Sequence, residues 1–358
     1  MLKGWSHHGV FAVFLFGVVG CMSASSESLP GSLIGPPSLS PDGKTVAFSY
    51  GKSTDNNRLV LFDIASSTLR MLGKPSRVIT RAPTFSPDGT KLAVPTYCRE
   101  ACEGDEFGYQ ISVVDLRVGS FQNVTSGRGF VRERPIFSPD GKKIFFVATH
   151  LTWKDEWSSA GRSWDESDGD SKRYGFSGIS QVDLKTGEES PVFPNERMPT
   201  GFLALFLGGA GADDSIVFSA RGPHDGEIES LVEQADQETA SLGYFYSPGR
   251  GLELIPESQN RSMSSLSMSS DGRRVVFVSS EPDSPFDYDL YQISDGEVSP
   301  ITSMSTHLAH ARIASEGHMV VFLEDRSRQK NWSVWIHDIA TGESRLILSH
   351  EALIDWMK

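Results

Sequence analysis

The chain has 358 residues, with 33 Lys and Arg against 46 Asp and Glu, a formal net charge of −13 at pH 7. That excess of carboxylates excludes a nucleic-acid binder, whose affinity depends on Lys and Arg neutralising phosphates. Charge speaks to solubility and partners rather than to fold, and length alone would suggest two domains.

Residues 1–20 have the layout of an export signal. Lys3 supplies a positive charge and an apolar stretch runs from Gly9 to Gly20, with Val10 to Phe16 at its centre. It is shorter than the roughly 20 apolar residues that span a bilayer, so cleavage is expected. Val18-Val19-Gly20-Cys21 resembles the bacterial lipobox. The resemblance implies that Cys21 takes a diacylglyceryl thioether, becomes the new N-terminus and is acylated. An ordinary signal peptide that happens to contain a cysteine is the alternative. One acyl chain binds membranes marginally, whereas two or more hold stably. Met22 stands where an aspartate would signal inner-membrane retention. The expectation is an outer-membrane lipoprotein that faces the periplasm or the cell surface. Residues 21–32, rich in Ser and containing Pro30-Gly31, read as the lipidated N-terminus and a flexible tether.

Beyond the tether the chain repeats itself. Ser-Pro-Asp-Gly occurs at Ser40 to Gly43, Ser86 to Gly89 and Ser138 to Gly141, with a worn copy at Ser269-Ser270-Asp271-Gly272. Asp-Gly turns the chain, because Gly accepts positive φ and Asp bonds its own backbone. A short strand precedes each turn and an apolar strand follows, as in Val46 to Ser49, Leu92 to Val94, Ile144 to Val147 and Val275 to Val278. Apolar residues on both faces predict strands buried on both sides. A third strand ends at an aspartate (Asp63, Asp115, Asp183, Asp338), and a more polar fourth strand follows, as in Leu69 to Leu72 and Arg345 to Leu348. Two further repeats keep the order without the tetrapeptide, one around Phe202 to Tyr246 and one from Ala311 through the Trp335 strand. The period from Asp42 to Asp88 is roughly 46 residues, near that of other propeller repeats. The predicted fold is all-β, a six-bladed β-propeller of four-stranded antiparallel blades over residues 33–349, with a C-terminal tail at 350–358. A β-sandwich or open meander would not repeat this register.

Departures from the repeat carry the candidate sites. Cys98 and Cys102 follow a strand in an oxidising compartment and are expected to form a loop disulfide. The insertion from His150 to Tyr174 holds Trp153, Trp157 and Trp164 among Asp155, Glu156, Asp165, Glu166, Asp168 and Asp170. It is either a solvated loop whose tryptophans pack back on the blade or a partner surface for a protein or glycan. Asp165, Asp168 and Asp170 are oxygen donors for calcium, but their spacing misses the twelve-residue calcium loop. The acidic loop from Arg221 to Ala240 reads as a solvated face or an interaction surface. His307, His310 and His318 cluster in sequence before the last blade, without a helical face to bring them together.

The tetrapeptides and the strands around them resemble the WD40-like Ser-Pro-Asp-Gly repeats of the TolB-type propellers, also found in the propellers of prolyl-oligopeptidase-like peptidases. The resemblance covers nearly the whole mature chain and is specific for fold. It implies a periplasmic propeller that binds partner proteins at the mouth of its channel. The chain departs from the TolB type in having no α/β domain before the first blade, and in its own lipid anchor. Peptidases of the second group need a Gly-x-Ser-x-Gly elbow and a hydrolase domain; neither is found, and residues after Leu348 are too few for one. Some Ser-Pro-Asp-Gly propellers, including pectin-fragment lyases, place metal-binding histidines near such positions. The expectation is therefore a monomeric, non-enzymatic envelope lipoprotein, without cofactor or metal, that serves as a protein-interaction scaffold. A carbohydrate-binding or carbohydrate-cleaving propeller is the alternative.

Overall fold

The computed structural model describes residues 32–51, 57–72, 77–79, 82–98, 108–127, 130–150, 176–192, 204–221, 242–259, 261–281, 284–327 and 331–356. Apolar runs and Gly-containing turns alternate along them and produce six antiparallel sheets in chain order. Blade 1 is β1 (Ser32–Leu39), β2 (Thr45–Gly51), β3 (Arg58–Asp63) and β4 (Thr68–Leu72). Blade 2 has its innermost strand in two pieces, β5 (Arg77–Ile79) and β6 (Thr84–Phe85), both paired with β7 (Lys91–Cys98), followed by β8 (Gly108–Asp115) and β9 (Phe121–Asn123). Pro83 lies in that break, where it cannot donate a ladder bond. Blade 3 is β10 (Phe130–Phe137), β11 (Lys143–His150), β12 (Phe176–Asp183) and β13 (Glu189–Pro191). Blade 4 is β14 (Ala204–Ala210), β15 (Ile216–Arg221), β16 (Leu242–Ser247) and β17 (Gly251–Leu254). Blade 5 is β18 (Ser264–Met268), β19 (Arg274–Glu281), β20 (Ser284–Ser294) and β21 (Glu297–Pro300). Blade 6 is β22 (Leu308–Ile313), β23 (Met319–Glu324), β24 (Ser333–Asp338) and β25 (Glu343–Leu348). The molecule is a six-bladed β-propeller.

The second strand of each blade explains why the sheets stack radially. Side chains alternate across a strand, and here both faces are apolar. Val46, Phe48 and Tyr50 of β2 pack into the seam with blade 6, while Ala47 packs into the seam with blade 2. On β19, Val275 and Phe277 face blade 4, and Val276 and Val278 face blade 6. The hydrophobic core is accordingly divided into six clusters, one in each seam. The outermost strands are polar and exposed, as β4 and β25 show.

Among the described residues no strand is exchanged to close the ring. Blade 1 begins with β1 and blade 6 ends with β25, and β1 packs directly on β22 and β23. The chain then continues into a short helix, α1 (His350–Trp356). Its Leu353 is fully buried in the closing seam with Leu33, Phe48, Phe62, Leu323, Ile336 and Leu348. The tail is thus a clasp over the joint between the first and last blades.

Candidate functional site

The four tetrapeptide turns share one hydrogen-bond pattern. The Ser hydroxyl donates to the Asp carboxylate at 2.6–2.7 Å in Ser40–Asp42, Ser86–Asp88, Ser138–Asp140 and Ser269–Asp271. The Gly N–H donates to the Ser carbonyl at 2.9 Å with φ near +70°, as at Gly141. The two repeats that lack the motif make the same turn. Asp214 adopts the left-handed conformation at the fourth position of one, and Gly317 of the other. These bonds hold the Asp carboxyls below the usual range; that of Asp140 falls to about 2, chiefly through Ser138. The aspartates are spent on backbone geometry. A groove of about 430 Å³ between blades 1 and 2 is lined by Asp42, Asp63, Asp88 and Arg70. Ser40, Ser66 and Ser86 already bond those three carboxylates.

All six inner strands run toward these turns, so the turns form one mouth of the channel and the strand starts form the other. The inner strands are not regular. Register shifts occur between Glu133 and Ile136, between Ser264 and Ser267, and between Ala309 and Arg312. At the same place in their repeats Ala82, Arg134, Ser265 and His310 have φ of 44°, 54°, 54° and 57°. A non-glycine residue there is uncommon, and bulges of this kind re-aim side chains beside functional sites. Two residues farther along, hydroxyls tie neighbouring blades together. Phe85 N–H donates to Ser38 Oγ at 3.3 Å, Thr84 Oγ1 donates to the Pro135 carbonyl at 2.6 Å, and Ile313 N–H donates to Ser267 Oγ at 3.2 Å. At the matching place in blade 6 stands Arg312. Its Nη1 passes blade 1 and donates to Pro83 O at 3.2 Å and to Thr84 Oγ1 in blade 2.

Aromatic and imidazole rings gather at the mouth opposite the turns. His307 lies 5.0 Å from Trp332 and 5.8 Å from Tyr288 between ring centroids, and His310 lies 6.4 Å from Trp332. The segment before β22 is held by Asp289, whose Oδ1 accepts from Thr302 Oγ1, Met304 N–H and Ser305 N–H. The Asp325 N–H fixes the His307 carbonyl at 2.9 Å. The His307 Nδ1 atom is buried with no hydrogen-bond partner among the described residues. His318, expected in the same cluster, stands at the other end of β22 beside Glu316 at 3.7 Å. The strand separates it from the other two. No group of three metal-ligating side chains occurs among the described residues.

Cys21, Cys102, Trp153, Trp157 and Trp164 lie outside the described residues, as does the side chain of Cys98 at the end of β7. The strands that flank the Trp-rich insertion are described. β11 ends at His150 and β12 begins at Phe176, both at the mouth that carries His307 and Trp332. Of the bulged positions the sequence marks only His310, for its imidazole, and it does not mark Arg312. The signal available was an arginine just before the sixth turn, at the place where blades 1, 2 and 5 carry Ser38, Thr84 and Ser267.

The chain matches no protein-family model. Among solved structures it is similar to an oligogalacturonate lyase in complex with manganese, at 17% identity and a TM-score of 0.56, over 90% of this chain and 79% of that one. TolB from Acinetobacter baumannii is similar at 17% identity and a TM-score of 0.54, over 89% of this chain and 64% of that one. The chain has the fold of the TolB-like six-bladed propellers. A Pyrococcus horikoshii acylaminoacyl peptidase is also similar, at 17% identity and a TM-score of 0.53, over 90% of this chain and 47% of that one. The expectation of a non-enzyme is overturned here. A lyase and a peptidase carry the same propeller, so neither the fold nor the missing hydrolase elbow excludes catalysis. The physical reason is that one fold hosts many chemistries, and function resides in sites built upon it.

Proposed function

We propose that this chain is a cell-envelope lipoprotein whose TolB-like propeller is a scaffold for a protein partner, engaged at the mouth opposite the tetrapeptide turns. One observation carries the reading. That mouth combines the aromatic cluster of Tyr288, His307 and Trp332 with the starting points of the longest departures from the repeat. The turn mouth, by contrast, has the aspartates of its four tetrapeptides bonded to their own serines and to backbone N–H groups of the turns. The lipobox-like Cys21 supports the anchor and the envelope location. A photo-crosslinking residue at position 332 should capture a discrete envelope protein, and the same probe at position 187 on an exposed outer turn should not. Equal capture at both positions would sink the reading. Membrane retention of Cys21→Ala would count against the anchor.

A second reading is favoured by a separate observation. Trp332, within ring-contact range of His307 and His310, is the kind of surface on which a sugar ring stacks, and one structural neighbour is an oligogalacturonate lyase. Carbohydrate binding or cleavage should then be lost in His310→Ala. Activity on oligosaccharides that survives that change would remove this reading.

A further inference from the structure

The first and last elements of the propeller meet at one mouth. β1 starts at Ser32, paired with Gly51 at the end of β2, and finishes at Leu39 beside the first tetrapeptide. Its start therefore sits at the mouth opposite the turns, on the innermost strand of blade 1. β25 runs from Glu343, beside Asp338, to Leu348, beside Val334, and delivers α1 to the same mouth. Exposed aromatic side chains belong to these strand ends. Phe130 opens β10 and is 36% exposed, and Trp356 closes α1 and is 38% exposed. Trp332 stands just before β24 at that level, against His307.

Chain length turns this placement into an orientation. Ser32 is eleven residues on from Cys21, and eleven fully extended residues reach at most about 36–40 Å. β1 has 8 residues, so the propeller is about 26 Å deep along it. The turn mouth meets a membrane that holds Cys21 only if the chain first crosses blade 1 from its innermost strand to its edge. Three inter-strand steps make that crossing about 14 Å, and the depth of the propeller comes on top. A path of about 40 Å takes the whole reach. The mouth where β1 starts meets the same membrane without that detour.

We propose that this mouth faces the membrane that holds Cys21, and that its occupant is a protein embedded in that membrane. The inference rests on the lipoprotein reading and on this mouth as the working surface. Lipid headgroups are the poorer occupant, because an anionic leaflet repels a chain of net charge −13. Exposed aromatic anchors suit a protein interface. Confining both proteins to one membrane raises the effective concentration of each without any new contact.

The photo-crosslinking residue at position 332 is placed in the full chain, with Cys21 intact and with Cys21→Ala, at equal expression in cells. The adduct should fall about tenfold or more in Cys21→Ala. The captured partner should stay in the membrane pellet through carbonate and leave it in detergent. An unchanged adduct, or a partner released by carbonate, would overturn the proposal. Orientation is read without a partner. The purified lipoprotein is inserted in vesicles with an acceptor dye on the lipid headgroups, and a donor dye is placed at position 130 or 142. Both lie on blade 3, Phe130 at the start of β10 and Lys142 just after the turn, its side chain 76% exposed. Energy transfer should be stronger from 130. Equal or stronger transfer from 142 would overturn the proposal. Quenching of the 130 probe by lipids brominated deep in their acyl chains would put lipid at the mouth and overturn it too. Absence of any adduct with Cys21 intact sinks the mouth reading instead, and the vesicle measurement still decides the orientation, so the two fail separately.

Discussion

The guanidinium of Arg312 on the last blade donates to the Pro83 carbonyl on the second blade, 3.2 Å away, and to the neighbouring Thr84 hydroxyl. Blade 1 lies between those two blades in the ring. The bond therefore spans the joint at which the first and last blades meet. Thr84 in turn donates to Pro135 of blade 3 at 2.6 Å. One threonine thus links three blades around the channel.

Thr84→Val keeps shape and removes both roles. The Pro135 carbonyl loses its donor and Arg312 keeps a single acceptor. Leaving buried polar groups unpaired costs about 1–3 kcal/mol. Urea unfolding should show a loss of that size with an unchanged m-value, and Thr84→Ser should recover most of it. A neutral Thr84→Val would mean that the tie contributes nothing to closure.

Leu353 tests the other half of closure. It is the one fully buried side chain of α1 and fills the seam between blades 1 and 6. Leu353→Ala should cost about 2–5 kcal/mol, as for other large-to-small changes in packed cores. Hydrogen exchange should accelerate first in β1 and β25, because their seam is the one that the helix covers. Uniform acceleration across all blades would argue against a local clasp.

Much of this fold was legible in the residues, for identifiable reasons. The tetrapeptide encodes a Ser–Asp hydrogen bond and a left-handed Gly within four positions, so local chemistry specifies the turn. Strands such as β2 and β19 show both apolar faces in their own composition, and two apolar faces require two neighbours. The inner-strand bulges were not legible, since Ala82, Ser265 and His310 carry no mark of a left-handed backbone. Nor was the lumen, because the distance from Arg312 to Thr84 exists only once the ring is closed. His318 was grouped with His307 and His310 by sequence distance, but a strand advances roughly 3.3 Å per residue and carries it to the opposite mouth. Leu353 reads as an ordinary tail residue until the seam beneath it is seen.

Blade 4 carries Gly208 in the register shift of its inner strand and Gly209 at the place of Thr84 and Arg312, and the reason is space. A Cβ on Gly208 would collide with the backbone carbonyl of Leu266, and one on Gly209 would lie 2.7 Å from the Met268 backbone nitrogen. The glycines let β14 approach β18 more closely than side chains permit. Gly208→Ala should therefore destabilise by about 3 kcal/mol, the upper end for overpacking. Gly272→Ala, at φ +70° with nothing within 4 Å of the added methyl, should cost only the about 1–2 kcal/mol of left-handed strain. The ranking, read from paired denaturation curves, is the test, and a reversed order would contradict the close approach.

The turn carboxylates predict how acid weakens the protein. The Asp140 pKa lies at about 2 in the folded chain against 3.8 for the free side chain, first because Ser138 Oγ donates to it and then because Lys142 N–H does. Asp42, Asp88 and Asp271 are lowered in the same direction, each first by its own serine. A depressed pKa means that the unfolded chain binds the proton more tightly. The stabilisation is therefore complete above the unfolded value and is lost as pH falls through the folded one. For Asp140 that window runs from about pH 4 to about pH 2. Ser138→Ala removes the largest cause, so its Asp140 titrates nearer the unfolded value and less stability remains to be lost in the window. Stability measured by urea at steps through that range should fall more steeply in the wild type than in Ser138→Ala. The offset between the two at neutral pH should narrow toward pH 2, leaving the pH-independent loss of the bond from Lys143 N–H to Ser138 Oγ. Parallel curves would show that the serine acts on the turn alone and not through the charge of Asp140.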